Sequence, residues 1–287
     1  MTELELQHVS YRYGAGTPFE KLALDDVSVR FEAGVINGLI GHTGSGKSTL
    51  VQLLNGLLKP DSGTILLDGR DLWADPKKMR ENRFRVGLVF QYPEYQLFEE
   101  SVAKDIAYGP TNMKLPPEEI SRRVAQSMAF CGLPASLADQ SPFALSGGQK
   151  RRVAIAGILA MEPQVLVLDE PAAGLDPMGR EEILGGIWSY QRKTHITVIL
   201  VSHSMEDMAR YSDRLIVMKK GRLAAAGSAR EIFSQPELLR DAGLNVPAIT
   251  SLMHTLRARG LDVPTDVLTV EDAKRVLLPL LKRKEAR

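Results

Sequence analysis

The run Gly41-His42-Thr43-Gly44-Ser45-Gly46-Lys47-Ser48-Thr49 fits G-x-x-x-x-G-K-[ST] and constrains the fold more than any other stretch of the chain. Upstream, Val35-Ile36-Asn37-Gly38-Leu39-Ile40 reads as a buried strand. Downstream, Leu50, Val51, Leu53, Leu54, Leu57 and Leu58 recur at helical spacing. Between strand and helix, glycines at 41, 44 and 46 permit positive φ and close backbone approach to an anion. The N–H groups of residues 44–49 have no intrahelical acceptors, so they and the positive helix end suit a phosphate chain. Lys47 is placed to reach β- and γ-phosphates, the Ser48 hydroxyl to join a Mg²⁺ shell, and Thr49 to add a backbone donor. The stretch predicts a site for ATP with Mg²⁺.

With 287 residues the chain can bury a large core, and one α/β domain with an appendage is expected. Its 36 basic and 35 acidic residues leave a net charge of +1, which gives no reason to propose a nucleic-acid partner. Attraction to phosphate must therefore be local. The single cysteine, Cys131, excludes an internal disulfide, suits a reducing compartment and reads as a buried, inert thiol. Thr2-Glu3-Leu4-Glu5-Leu6-Gln7 is acidic and alternating, unlike a signal peptide. No apolar run approaches the roughly 18–20 residues that span a bilayer as a helix.

In chain order, Leu4, Leu6 and His8 alternate against Glu3, Glu5 and Gln7, and Val27, Val29 and Phe31 against Ser28 and Arg30; both segments read as half-buried strands of an antiparallel layer, which residues 64–67 extend. Residues 11–20 between them read as a loop, in which Tyr13 is the candidate ring to stack on adenine. Val86-Gly87-Leu88-Val89-Phe90 is a short strand ending at Gln91, whose amide can sense a metal or an attacking water. From about 99 to 160 the spacing gives an inserted helical lobe, whose last helix follows Leu145-Ser146-Gly147-Gly148-Gln149, a second anion-binding helix start. Lys150-Arg151-Arg152 then opposes the helix dipole, and reads either as a solvated face or as the companion of an anion. Val165-Leu166-Val167-Leu168 is a central parallel strand delivering Asp169, a candidate Mg²⁺ ligand, and Glu170, a candidate general base. Thr197-Val198-Ile199-Leu200-Val201 ends likewise at Ser202-His203. Four apolar strands thus stop at polar groups, which should converge beyond the carboxyl ends of one sheet.

Residues 215–227 read as a hairpin, followed by a short helix near Ile232. Leu252 and Leu256, then Val270, Ala273, Val276, Leu277 and Leu281, give two amphipathic helices whose apolar faces need the core or a partner. The expected division is a nucleotide-binding domain over 1–235 and a C-terminal helical extension over 236–287.

Together these motifs resemble the ATPase subunit of ABC transporters, over essentially all of residues 1–235. The resemblance implies a P-loop NTPase fold of the α/β class, with a mostly parallel core sheet, an antiparallel β layer, the helical lobe and the appendage. It makes Gln91 the Q-loop glutamine, Asp169 the Walker B aspartate, Glu170 the catalytic carboxylate and His203 the switch histidine. Ala173-Gly174-Leu175-Asp176 becomes the D-loop, and Ser146, Gly147, Gly148 and Gln149 a signature serving the ATP of a partner subunit. More narrowly, Gln91-Tyr92-Pro93-Glu94-Tyr95-Gln96-Leu97-Phe98, Asp105-Ile106-Ala107-Tyr108-Gly109-Pro110 and Gly16-Thr17-Pro18-Phe19-Glu20 look like the energy-coupling factor importers for vitamins and metal ions. The last of these segments looks like their second, A-prime, ATPase. One departure is Ala172, where threonine usually follows Glu-Pro; it leaves the Walker residues untouched. The resemblance implies a heterodimer with a second ABC ATPase, a transmembrane coupling protein and a substrate-binding membrane subunit, at the cytoplasmic face of the cell membrane. The alternatives are another importer class, a non-hydrolysing regulator, against which Glu170 argues, or a soluble ABC-type ATPase of DNA repair or translation. Against the last, this sequence carries one cassette and no long coiled coil.

Overall fold

A computed structural model describes the backbone of residues 2–285 and the side chains of residues 2–280, so the expectation for Leu281 lies outside the described side chains. The alternating N-terminal runs form β1 (Leu4–Tyr13) and β2 (Lys21–Phe31). β3 (Ile36–Ile40) leads through the glycine-rich stretch into α1 (Lys47–Leu54), followed by β4 (Ser62–Leu67) and β5 (Arg70–Asp71). These build an antiparallel sheet in the order β2-β1-β4-β5. After α2 (Met79–Arg85) and β6 (Val86–Val89) come α3 (Val102–Asn112), α4 (Pro117–Phe130) and α5 (Gly147–Leu159), which make the helical lobe. The chain returns through β7 (Val165–Asp169), α6 (Pro177–Thr194), β8 (Thr197–Val201), α7 (Met205–Tyr211), β9 (Arg214–Lys219), β10 (Arg222–Ser228), α8 (Ala229–Phe233) and α9 (Pro236–Asp241). The core sheet runs β10-β9-β3-β8-β7-β6, parallel except for β10.

Every residue of β3, β7 and β8 is buried, which is why their sequences are mostly apolar rather than alternating, broken only by Asn37, Gly38, Asp169 and Thr197. One face of this sheet packs on α1 and the antiparallel sheet, through Leu39, Leu50, Val167 and Phe31 among others. The other face packs on α5 to α9, through Ile155, Leu184, Met208 and Phe233. The lobe has its own core around Val102, Ile106, Met128 and Val153.

The structure differs from the sequence expectations at several points. His8 does not continue the inward alternation: it takes φ 53°, the β1–β2 register shifts, and Val9 is buried in its place. The imidazole stays exposed, with Nδ1 2.8 Å from Asp26 Oδ1. A bulge that buries valine instead of imidazole avoids desolvating a polar ring. β1 extends through Tyr13, so the loop is confined to residues 14–20. α1 stops at Leu54 because Gly56 turns left-handed at φ 72° and the N–H groups of Leu57 and Leu58 both turn back to Gln52 O, which leaves Leu57 exposed. β5, α2, α6, α7 and α9 are additional. Leu239 and Ala242, beyond residue 235, belong to the main core. Past them, α10 (Ala248–Ala258) and α11 (Val270–Glu285) enclose a separate cluster of Met253, Val263, Val267 and Ala273, while Leu252 and Val270 are exposed. Cys131 is only partly covered as a residue, yet burial pushes its thiol up to about 12, so it is inert.

Candidate active site

β3 lies between β8 and β9, so the carboxyl ends of β3, β8, β7 and β6 form one edge, and the glycine-rich loop rises from its middle. Two glycines there are dictated by space. A Cβ on Gly46, which caps α1 at φ 102°, would stand 2.8 Å from both Ala23 O and Leu24 Cδ2. One on Gly41 would stand 2.4 Å from Ser45 Oγ and 2.5 Å from Met218 O. Of the predicted donors, Ser45 N–H turns back on His42 O at 3.1 Å, and Ser45 Oγ is buried without a partner. His42 Nδ1 lies 2.7 Å from Thr43 O. Lys47, 6% exposed, donates from Nζ to Gly41 O at 2.6 Å and His42 O at 3.1 Å. Burial lowers its pKa, against the pull of Glu170 and Asp169. An ammonium satisfied only by loop carbonyls is readily transferred to a better anion. Tyr13 reaches this loop: its hydroxyl is 3.2 Å from Thr49 Oγ1, and its ring stands edge-on to Tyr11.

Asp169 and Glu170 leave β7 together, each 8% exposed. Burial raises Asp169, opposed by the nearby Ser48 hydroxyl and by Lys47. Glu170 is held in the left-handed region at φ 52°, which turns it away from the strand. Burial pushes its carboxyl up to about 7; Asp169 adds to the rise, while the main-chain N–H of His203, Lys47 and Arg180 oppose it. His203 Nε2 lies 3.2 Å from Glu170 Oε1 but out of line for a hydrogen bond, so that buried oxygen is left without a partner. The imidazole pKa is lowered, first by burial and then by Lys47, which favours the neutral ring. A carboxyl poised near neutrality, with an unpaired oxygen beside a neutral imidazole, can take a proton from water.

The glycine loop, with its α1 amides and Lys47, fits a polyphosphate. Ser48 and Asp169 offer two adjacent oxygen donors, and no group of three His, Cys, Asp or Glu side chains able to hold a metal occurs among the described residues. A metal there must complete its shell with phosphate oxygen and water, as suits Mg²⁺.

Gln91 follows β6 at the same edge and is exposed. Ser146, Gly147, Gly148 and Gln149 lie elsewhere, on the lobe. Ser146 and Gln149 form a reciprocal capping box at the start of α5, and a Cβ on either glycine would meet open space. This helix end therefore faces solvent. Asp176 caps α6, accepting from Gly179 N–H at 3.0 Å. The basic run after the signature is not a solvated face: Arg151 is buried on Glu94, and Arg152 pairs with Glu182 at 3.0 Å. Glu94 was not singled out in the sequence; the only signal was the cation opposing the helix dipole.

A family model described as ABC transporter matches residues 24–173. The energy-coupling factor transporter ATP-binding protein EcfA2 of Caldanaerobacter subterraneus subsp. tengcongensis is 53% identical over 279 residues, 97% of this chain and 98% of that protein. The protein of the same name from Clostridium acetobutylicum is 52% identical over 97% of this chain and 98% of its own length. Among solved structures, cbiO1 from Clostridium perfringens, described as part of the ABC transporter complex cbiONQ, superposes with a TM-score of 0.74 at 41% identity, over 88% of this chain and 98% of that one. A post-hydrolysis dimer of an ATP-binding cassette bound to ADP and Pi gives 0.70 at 27% identity, over 79% and 98%. The chain belongs to the ATP-binding proteins of the ABC transporter family, in its energy-coupling factor branch.

Proposed function

We propose that this chain is the ATP-binding and hydrolysing subunit of an energy-coupling factor importer, powering uptake of a vitamin or metal ion across the cell membrane. The observation that carries this reading is the meeting of Lys47 and Ser48 with Asp169, Glu170 and His203 at one sheet edge, in a chain whose relatives bear that transporter's name. Lys47 exchanges the carbonyls of Gly41 and His42 for β- and γ-phosphate oxygens. Glu170 takes a proton from the attacking water at its unpaired Oε1, His203 steadies that carboxylate, and Gln91 orients the water or senses the metal. Ser48 and Asp169 would hold Mg²⁺, which would supply charge neutralisation on the phosphates. Tyr13 stacks on adenine once its ring swings from Thr49.

Because Ser146, Gly147 and Gly148 face solvent, they cap the nucleotide of a second, similar ATPase, and Asp176 lies at the same contact. ATP then favours the closed pair by binding it better than the open one. The α10–α11 extension is the candidate for contacts that persist between cycles. No helix among the described residues is long and apolar enough to cross a membrane. A transmembrane coupling protein and a substrate-binding membrane subunit therefore supply the path, with this chain peripheral on the cytoplasmic face.

The test is ATP turnover against concentration for the chain, its partner ATPase and the mixture, with and without Ser146→Arg. The mixture should be active, and the variant should suppress it. Full activity of the lone monomer, or an unaffected mixture, would overturn the shared-site reading. Tagged protein that stayed soluble with all membrane partners expressed would overturn the transport reading.

A further inference from the structure

Arg151 is the fifth residue of α5, at the start of its second turn, and it is 3% exposed. Burying a cation costs stability, so its contacts must explain its presence. Nε and Nη2 grip Glu94 in a fork, at 3.0 Å to Oε2 and 2.6 Å to Oε1. Nη1 donates to Ala173 O at 2.6 Å and Pro171 O at 3.3 Å, and the guanidinium lies 5.8 Å from the centre of the Tyr92 ring. Burial alone would raise the Glu94 carboxyl, but Arg151 and a main-chain N–H outweigh it and hold it below its ordinary value. One planar group therefore reaches three pieces of chain: the helix capped by Ser146, the turn just after Gln91, and the turn between Glu170 and Asp176. Its neighbour Arg152 is one quarter exposed and pairs with Glu182 on α6.

We propose that Arg151 is a positioning residue for hydrolysis, fixing the segment after Gln91 and the turn after Glu170 to the signature end of α5 as one unit. The inference rests on the functional reading above. Under that reading the signature serves the partner's nucleotide, whereas Gln91 and Glu170 serve this chain's own, so the guanidinium transmits the seating of one nucleotide to the hydrolytic edge of the other. A lysine keeps the charge but cannot form the fork and reach both carbonyls.

The experiment uses the reconstituted transporter complex, with steady-state ATP turnover for wild type, Arg151→Lys, Glu94→Gln and Arg152→Lys, each confirmed as folded at the assay temperature by circular dichroism. Arg151→Lys and Glu94→Gln should each lower kcat at least about tenfold with KM for ATP within about twofold, because positioning is expressed in the transition state rather than in ground-state binding. Arg152→Lys should retain kcat. A folded Arg151→Lys complex with kcat within twofold of wild type, a loss confined to KM, or an equal loss in Arg152→Lys would overturn the inference. A wild-type complex without ATP turnover would overturn the functional reading and this inference with it, whereas wild-type turnover unaffected by Arg151→Lys would sink the inference alone.

Discussion

Replacing Glu170 by glutamine should stabilise the nucleotide- and metal-free chain in a pH-dependent way, because the native carboxylate is held where it is costly to ionise. Its carboxyl rises from an ordinary 4.5 to about 7, with burial the chief cause. In the unfolded chain it ionises near the ordinary value, so stability contributed by the protonated form is complete below pH 4.5 and is lost as pH rises through about 7. At 1.36 kcal/mol per pH unit the full effect is about 3 kcal/mol. Residual solvent access reduces it to about 2 kcal/mol. Glutamine has the same shape and does not titrate. Its amide carries a fixed cost of its own, so the diagnostic is how the difference between variant and wild type changes with pH. Thermal midpoints followed from pH 5 to pH 8 should move in the variant's favour by about 4–8 °C. A difference that stays flat, or that favours wild type more as pH rises, would refute the argument that burial holds this carboxyl near neutrality.

In the assembled enzyme the same group should give kcat/KM an acid limb of unit slope, with about a tenfold rise from pH 6 to pH 8. Glu170→Gln should keep ATP binding while hydrolysis falls about 100-fold or more; near-normal turnover would remove Glu170 as the base. Lys47→Ala should weaken ATP binding and turnover together, measured by calorimetry and by phosphate release; unchanged affinity would mean that the ammonium stays on its loop carbonyls. Tyr13→Ala should weaken ATP binding by about 1–3 kcal/mol, whereas Tyr13→Phe, which loses only the contact with Thr49, should stay near wild type. Equal losses in both variants would assign Tyr13 to its hydroxyl rather than its ring.

The site was legible because buried parallel strands leave an unmistakable trace: Val165 to Leu168 and Val198 to Val201 are apolar throughout, Ile36 to Ile40 is apolar but for Asn37 and Gly38, and each stops at a polar group or the glycine loop. Parallel pairing then forces those ends to one edge, whatever the loops do. Boundaries set by one or two residues were less visible. Gly56 ends α1 although Leu57 and Leu58 continue its spacing, and His8 breaks the alternation by a bulge that only the paired strand defines. α6, which the sequence reading passed over, starts at the cap Asp176 with Pro177 in its first turn, but its mixed surface gives no clear apolar stripe. The Glu94–Arg151 pair spans 57 residues and was out of reach, since nothing local says which carboxylate answers a misplaced cation.

The order of the core sheet also sets when the protein can become competent during its synthesis. β3 emerges early, yet its two neighbours are β8 and β9: Ile36 pairs with Val198 and Asn37 with Arg214. The glycine loop is further pinned by Gly221, whose N–H bonds Ser45 O while its carbonyl accepts from Asp25 N–H. The β1–β2–β4 sheet can pair as soon as the first quarter of the chain leaves the ribosome, but β3 has no partners until residues far beyond the lobe have followed. Such long-range pairing is slow and leaves apolar strands uncovered meanwhile. A nascent chain cut before β9 therefore carries the whole phosphate-binding motif in its sequence and cannot hold it in shape, so nucleotide binding reports that the last strands of the cassette have arrived.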